Sequence, residues 1–130
     1  MKGRMRVGTI YLPVCDVKRA KEWYEEKVGI RSHFVDRDKA IFDFANLSFF
    51  LVRSPSGQTS DFIDAEGVVR PSLTLEVDGV TELEEFRTRL IAAGVSVGEL
   101  EDRGHPGRNF IFFDLDGNRI DVWSGSGEYK

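Results

Sequence analysis

The side chains able to do chemistry in this chain are few and scattered. Asp114, Asp116 and Asp121 lie near the C-terminal end, Glu76 well before them, and the two histidines, His33 and His105, far apart. Converging carboxylates and imidazoles can hold a divalent ion or move a proton, and a metal needs about three such ligands. No local run supplies them. Asp114-Leu115-Asp116-Gly117-Asn118 has the look of a calcium loop, but its Gly stands fourth rather than sixth and no Glu closes it, so Asp116-Gly117 reads as a hairpin turn. Cys15 is the single cysteine, which rules out an internal disulfide or a cysteine zinc cluster. With no His or Lys beside it, Cys15 reads as an inert residue at a strand end. Ser48, Ser72 and Ser124 read as strand residues, not as nucleophiles of a Ser-His-Asp set. His33 either faces a cleft or sits on the surface. His105, between Gly104 and Pro106, is a loop residue that becomes a base only if its loop overhangs a site.

The elements that must position these groups follow from periodicity. Residues 4–14 alternate as a strand, with Ile10, Leu12 and Val14 on one side and Thr9, Tyr11 and Pro13 on the other. Asp16 caps a helix over 17–28 whose apolar stripe is Val17, Ala20, Trp23, Tyr24 and Val28, and Gly29 stops it. Strands follow over 30–35, 40–44 and 47–52. Residues 53–68 lose periodicity, and there Phe62 and Ile63 either tuck over a cleft as a lid or anchor an exposed linker. Then Ser72 to Val77 alternates as Thr9 to Val14 did. A second helix runs from Thr81 to Gly94, and two strands, 108–115 and 119–124, flank the Asp-Gly-Asn turn. Val14, Val17 and Trp23 recur as Val77, Val80 and Phe86 at one constant offset. The chain therefore reads as one domain over 1–130 made of two tandem βαβββ modules, about 4–54 and 70–124, joined by a linker of about 55–69. The fold class expected is α+β, with curled mixed sheets around a cleft and helices outside.

A strand ending in Val14-Cys15-Asp16, a helix carrying Trp23-Tyr24 and ending in Gly29, and the closing Phe113-Asp114-Leu115-Asp116-Gly117-Asn118-Arg119-Ile120-Asp121 together resemble the vicinal oxygen chelate superfamily. This group contains glyoxalase I, bleomycin-resistance proteins, fosfomycin-resistance enzymes and extradiol dioxygenases. The likeness covers nearly the whole chain, although Pro is commoner in it than Leu115 and Glu than Asp121. It implies paired βαβββ modules enclosing a ligand cleft, and in the enzymes one divalent metal held by side chains from the first and last strands of each module. The ligand positions fall here on Thr9, Phe49 (or Leu51, if the turn is counted differently), Ser72 and Asp121. One carboxylate and two hydroxyls make a poor site for a transition ion. Glu76 lies four residues beyond Ser72, roughly 13 Å along the strand. The expectation is that metal and cofactor are absent.

Alternation gives a cleft face of Thr9, Tyr11, Phe49, Leu51, Ser72, Thr74, Glu76, Arg119, Asp121 and Trp123. Of these, Thr9, Tyr11, Phe49, Leu51, Ser72, Thr74, Asp121 and Trp123 are the candidate ligand-binding residues. Such a face suits a small, partly aromatic organic molecule. Three readings stay open: metal-free small-molecule binding without turnover, a metal-dependent glyoxalase-type lyase, isomerase or dioxygenase with a rearranged ligand set, and a cleftless interaction module. A homodimer is expected under each. The net charge of −4 offers no basic field for nucleic acid. No apolar run is long enough to cross a membrane and no signal peptide is evident, so the expected location is cytoplasmic.

Overall fold

The computed structural model describes residues 3–44 and 47–126. The expected turn at Ala45-Asn46 and the end of the Gly125-Ser126-Gly127 tail lie outside the described residues. The chain forms two compact units that divide after Thr59.

In the first unit, β1 (Thr9–Val14) leads into α1 (Val17–Trp23). Asp16 caps this helix, its Oδ1 accepting the Arg19 N–H at 3.1 Å. The last turn, Tyr24–Val28, widens to a π-helix, and the N–H of Gly29 donates to the Tyr24 carbonyl at 3.0 Å. Gly29 has φ 86°, the left-handed conformation that ends the helix. Three strands follow: β2 (Ser32–Val35), β3 (Lys39–Phe44) and β4 (Leu47–Arg53), giving the sheet order β1-β4-β3-β2. β1 and β4 run parallel; the other pairs are antiparallel.

Register decides which side chains meet the helix. Ile10 pairs with Phe49 and Phe49 with Phe42, while Leu12 pairs with Leu51 and Leu51 with Ala40, so these six share a face. Tyr24 packs onto it, its ring centroid 5.5 Å from that of Phe49 and 6.1 Å from that of Phe42. Leu12, Ala40, Phe42, Phe49 and Leu51 are all buried. Burying this aromatic and aliphatic layer under α1 is what holds the unit together.

The second unit opens with a short ribbon, β5 (Phe62–Ile63) and β6 (Val69–Arg70), turned by Asp64, whose Oδ1 accepts the N–H groups of Glu66 and Val68. Phe62 and Ile63 are exposed on it. β7 (Thr74–Glu76), α2 (Val80–Ala92), β8 (Asn109–Phe113) and β9 (Arg119–Trp123) then form a sheet of order β7-β9-β8. Phe86 of α2 lies edge-on to Phe110 and Phe112, on the face that also carries Ile120 and Val122. The Asp-Gly-Asn turn is built on Asp114, whose Oδ1 accepts the N–H groups of Asp116 and Asn118 and whose Oδ2 accepts the Asn118 amide at 2.8 Å.

Two expectations about architecture are corrected. The sheets are mixed, as a βαβββ module requires, but they do not curl into a closed wall. The four-stranded sheet ends on β1 and β2, the three-stranded one on β7 and β8, and among the described residues no strand pairing closes either. Strands of three to seven residues in sheets this narrow leave open edges. Among its described residues the second unit also lacks a full second strand. In its place stand two isolated bridges, Val97 to Phe112 and Glu101 to Asn109. Gly98, between them, lies against the Ile111 backbone and contributes no side chain to a ladder.

Candidate functional site

The polar face of the second sheet carries the site. Thr74 pairs with Asp121 and Asp121 with Ile111; Glu76 pairs with Trp123 and Trp123 with Asn109. Because opposed residues project to one side, Thr74, Asp121, Trp123 and Asn109 stand together on the face away from Phe86. The loop before β8 folds over this face and brings Arg103, His105 and Pro106. With Ser126 these residues line a hollow of about 460 Å³.

Asp121 is its centre and is only 3% exposed. Its Oδ2 accepts the Thr74 hydroxyl at 2.9 Å and the Asn109 amide at 3.0 Å. Nη2 of Arg103 lies 3.1 Å from the other oxygen, and Nε of Arg103 donates to Glu101 at 2.6 Å. Partial burial works against the Arg103 charge. The hydrogen bond and charge of Glu101, with the charge of Asp121, more than offset it and hold the guanidinium above its ordinary range. A buried carboxylate is tolerated here because a cation and two donors face it.

The wall opposite is aromatic. The Trp123 indole N–H donates to the Pro106 carbonyl at 2.9 Å, and His105 stands edge-on to the indole with ring centroids 5.9 Å apart. His105 Nδ1 lies 2.9 Å from the same carbonyl. Gly107 makes this closeness possible. It has φ 84°, and a Cβ there would fall 2.2 Å from the Gly125 carbonyl and 2.8 Å from Trp123 Nε1.

The expected binding residues divide accordingly. Thr74, Asp121 and Trp123 come together. Ser72 is exposed just before β7. In the first unit, Thr9 and the exposed Tyr11 lie on the sheet face away from α1, where Tyr11 meets Phe50 at 5.3 Å. Phe49 and Leu51 project to the opposite face, 2% and 0% exposed, so their grouping with Thr9 and Tyr11 is corrected. The residues of β4 that share the Tyr11 face are Ser48, Phe50 and Val52. His33 is on the surface of β2, its Nδ1 3.0 Å from Asp43 Oδ2. A hollow of about 700 Å³ beside Cys15, Asp16 and Arg53 has no aromatic lining and no buried carboxylate.

Asn109 and Arg103 were missed from the sequence. Asn109 is in phase with Ile111 and Phe113 on a strand whose pairing to Trp123 follows from the turn, so its signal was present. Arg103 sits in an aperiodic loop, and nothing local links it to Asp121.

A family model described as the Glyoxalase/Bleomycin resistance protein/Dioxygenase superfamily matches residues 6–122. The chain belongs to this superfamily. No curated protein sequence matches it significantly. Among solved structures, a lactoylglutathione lyase from Agrobacterium tumefaciens is similar at 20% identity and TM-score 0.75, covering 96% of this chain and 97% of that one. TnmS3, an antibiotic binding protein from Streptomyces sp. CB03234, is similar at 24% identity and TM-score 0.71, over 95% and 98%. A glyoxalase/bleomycin resistance protein from the same Streptomyces strain is 25% identical with TM-score 0.65, over 91% and 99%.

The resemblance implies a divalent metal in the enzymes of this superfamily, with Asp121 expected at their closing-strand carboxylate. The residues around it do not fit such an ion. Both carboxylate oxygens face protein groups, one of them a guanidinium at 3.1 Å that would repel a second cation, and Thr74 and Asn109 are neutral. Among the described residues no three His, Cys, Asp or Glu side chains are grouped to hold a metal ion.

Proposed function

We propose that this member of the glyoxalase superfamily binds a small, partly aromatic organic molecule in the hollow beside Trp123 without a divalent metal and without turning it over. The observation that carries the reading is the triple engagement of Asp121 by Thr74, Asn109 and Arg103, which makes the carboxylate a fixed wall of the hollow instead of a metal ligand. The Trp123 face, with His105 edge-on to it, supplies the flat apolar surface on which a ring stacks. An antibiotic binding protein shares this fold, which supports binding as the role. Ser72, before β7, remains in the proposal as a further contact in the second unit; Thr9 and Tyr11, on the open face of the first sheet, remain in it as a separate candidate contact surface of the first unit.

The setting is proposed to be cytoplasmic; no helix among the described residues is long and apolar enough to cross a membrane. A homodimer is proposed as well, because β1 and β7 each end a sheet and present a backbone edge. Light scattering checks the dimer. The binding reading is tested by elemental analysis of untagged protein together with a thermal-shift screen of aromatic compounds with and without EDTA. It predicts substoichiometric metal and shifts that EDTA leaves unchanged. Stoichiometric metal with EDTA-sensitive turnover would overturn it in favour of a glyoxalase-type lyase, isomerase or dioxygenase.

A further inference from the structure

Asn109 is 2% exposed, yet its Oδ1 accepts no hydrogen bond among the described residues. Buried polar atoms are nearly always satisfied, so an orphaned acceptor on a residue that lines the hollow calls for an explanation. Its orientation is not free to change. Nδ2 of the same amide donates to Asp121 Oδ2 at 3.0 Å, and turning the amide over would set oxygen against a carboxylate oxygen. Asp121 is itself held by Thr74 and Arg103, so the chain fixes Asn109 Oδ1 as an acceptor with no donor of its own.

Asn109 and Trp123 are direct cross-strand partners, a relationship that puts Cβ atoms about 5 Å apart. A ring laid on the Trp123 face therefore brings a substituent on its edge within reach of the amide. The indole N–H of Trp123 cannot serve as that donor, because Pro106 takes it. We infer that the hollow selects, among flat aromatic molecules, those carrying an N–H or O–H donor on the ring edge, with Asn109 as the residue that reads it. This rests on the proposed binding of an aromatic molecule and names the class. A methylated analogue of the same shape would leave the acceptor unsatisfied and crowd it, which is how a hydrogen-bonding site rejects an isostere.

The test uses the full chain and two matched pairs, indole with N-methylindole and phenol with anisole, titrated by NMR while following the Trp123 indole N–H and the Asn109 side-chain amide. The expected result is binding of indole and phenol at least about tenfold tighter than of their methylated partners, with the Asn109 amide shifted only by the donors. In Asn109→Leu the ratio of donor to methylated affinities should fall to about onefold. Should that variant not fold, Asn109→Ala and the wild-type amide shifts carry the comparison. Equal binding of donor and methylated probes to wild type, as when a held water already serves Oδ1, would overturn the inference and leave aromatic binding standing. No binding by any of the four probes would overturn both.

Discussion

Asp61 grips Arg119 twice, its Oδ2 accepting the guanidinium at 2.8 Å and its Oδ1 accepting the backbone N–H of the same residue at 3.0 Å. The bond fixes the start of β9 to the segment that precedes β5, while Asn118 Oδ1 accepts the Ser60 N–H at 2.8 Å next door. The Asp61 side chain is 6% exposed, so its loss strips a part-buried backbone donor as well as an ion pair. Asp61→Ala should destabilise the protein by about 2–4 kcal/mol, read as a lower urea midpoint with the slope unchanged. An effect below about 0.5 kcal/mol would show that solvent replaces both bonds.

Gly107 and Gly104 make a matched pair. Both have positive φ, 84° and 87°, but a Cβ at Gly104 meets nothing within 4 Å, whereas one at Gly107 strikes the Gly125 carbonyl, Ser124 Oγ and Trp123 Nε1. Gly104→Ala should cost only the left-handed penalty of about 1–2 kcal/mol. Gly107→Ala should cost clearly more and push the loop off Trp123, red-shifting its emission as the indole loses Pro106. Equal effects of the two substitutions would contradict the packing described.

Phe49 occupies a position where metal-binding relatives are expected to place a ligand, and here it lies under Tyr24. Phe49→Ala should therefore cost about 3–5 kcal/mol through a cavity in the α1 layer. Phe49→His should also destabilise, because imidazole there has no polar partner within the apolar face, and it should not add bound zinc by elemental analysis. Recovery of stability on adding zinc to that variant would place the residue in a site.

How legible the molecule was follows from where period two holds. β9 reads Arg119-Ile120-Asp121-Val122-Trp123, strict alternation, and the sequence alone puts Asp121 and Trp123 opposite Ile120 and Val122, as the structure does. β4 reads Leu47-Ser48-Phe49-Phe50-Leu51-Val52, apolar on both faces, so parity had to come from the register with β1, which local pattern does not contain. The helices were placed by Asp16 and the two stop glycines, though the π-turn after Trp23 has no signal in the side chains. The missing second strand of the second unit turns on Gly98, and the Arg103 contact depends on a loop path, both tertiary facts. Sheet curvature was carried over from resemblance, and the short strands did not support it.

Glu25 contributes acid sensitivity to the first unit. Its Oε2 accepts the N–H and the hydroxyl of Ser32 at 3.1 and 2.9 Å, and Lys21 lies 3.2 Å from Oε1. Burial works to raise its pKa, but the bonds from Ser32 and the Lys21 charge outweigh it, leaving the carboxyl below its ordinary 4.5. A lowered folded value means that its stabilisation is whole above about 4.5 and is lost as pH falls through the folded value. The difference in melting temperature between wild type and Glu25→Gln should be constant from pH 7 to 5 and shrink below pH 4.5. A difference that grows on acidification would reverse the assignment.

Asp121 and Arg103 should behave as a coupled, partly buried pair, unlike Arg53 and Asp38, which face each other at 3.0 Å on open surface. Removing Arg103 alone, as Arg103→Leu, leaves Asp121 with two neutral donors and a charge in a nearly dry position. Removing Asp121 alone, as Asp121→Asn, leaves the guanidinium with Glu101. Each should cost about 2–4 kcal/mol, and the double variant less than their sum, a coupling of about 1–3 kcal/mol. The exposed pair should couple by no more than about 1 kcal/mol and lose that in salt. Additive losses at Asp121 and Arg103 would mean that the carboxylate is held by Thr74 and Asn109 alone, and would remove the charge argument against a cation at that position.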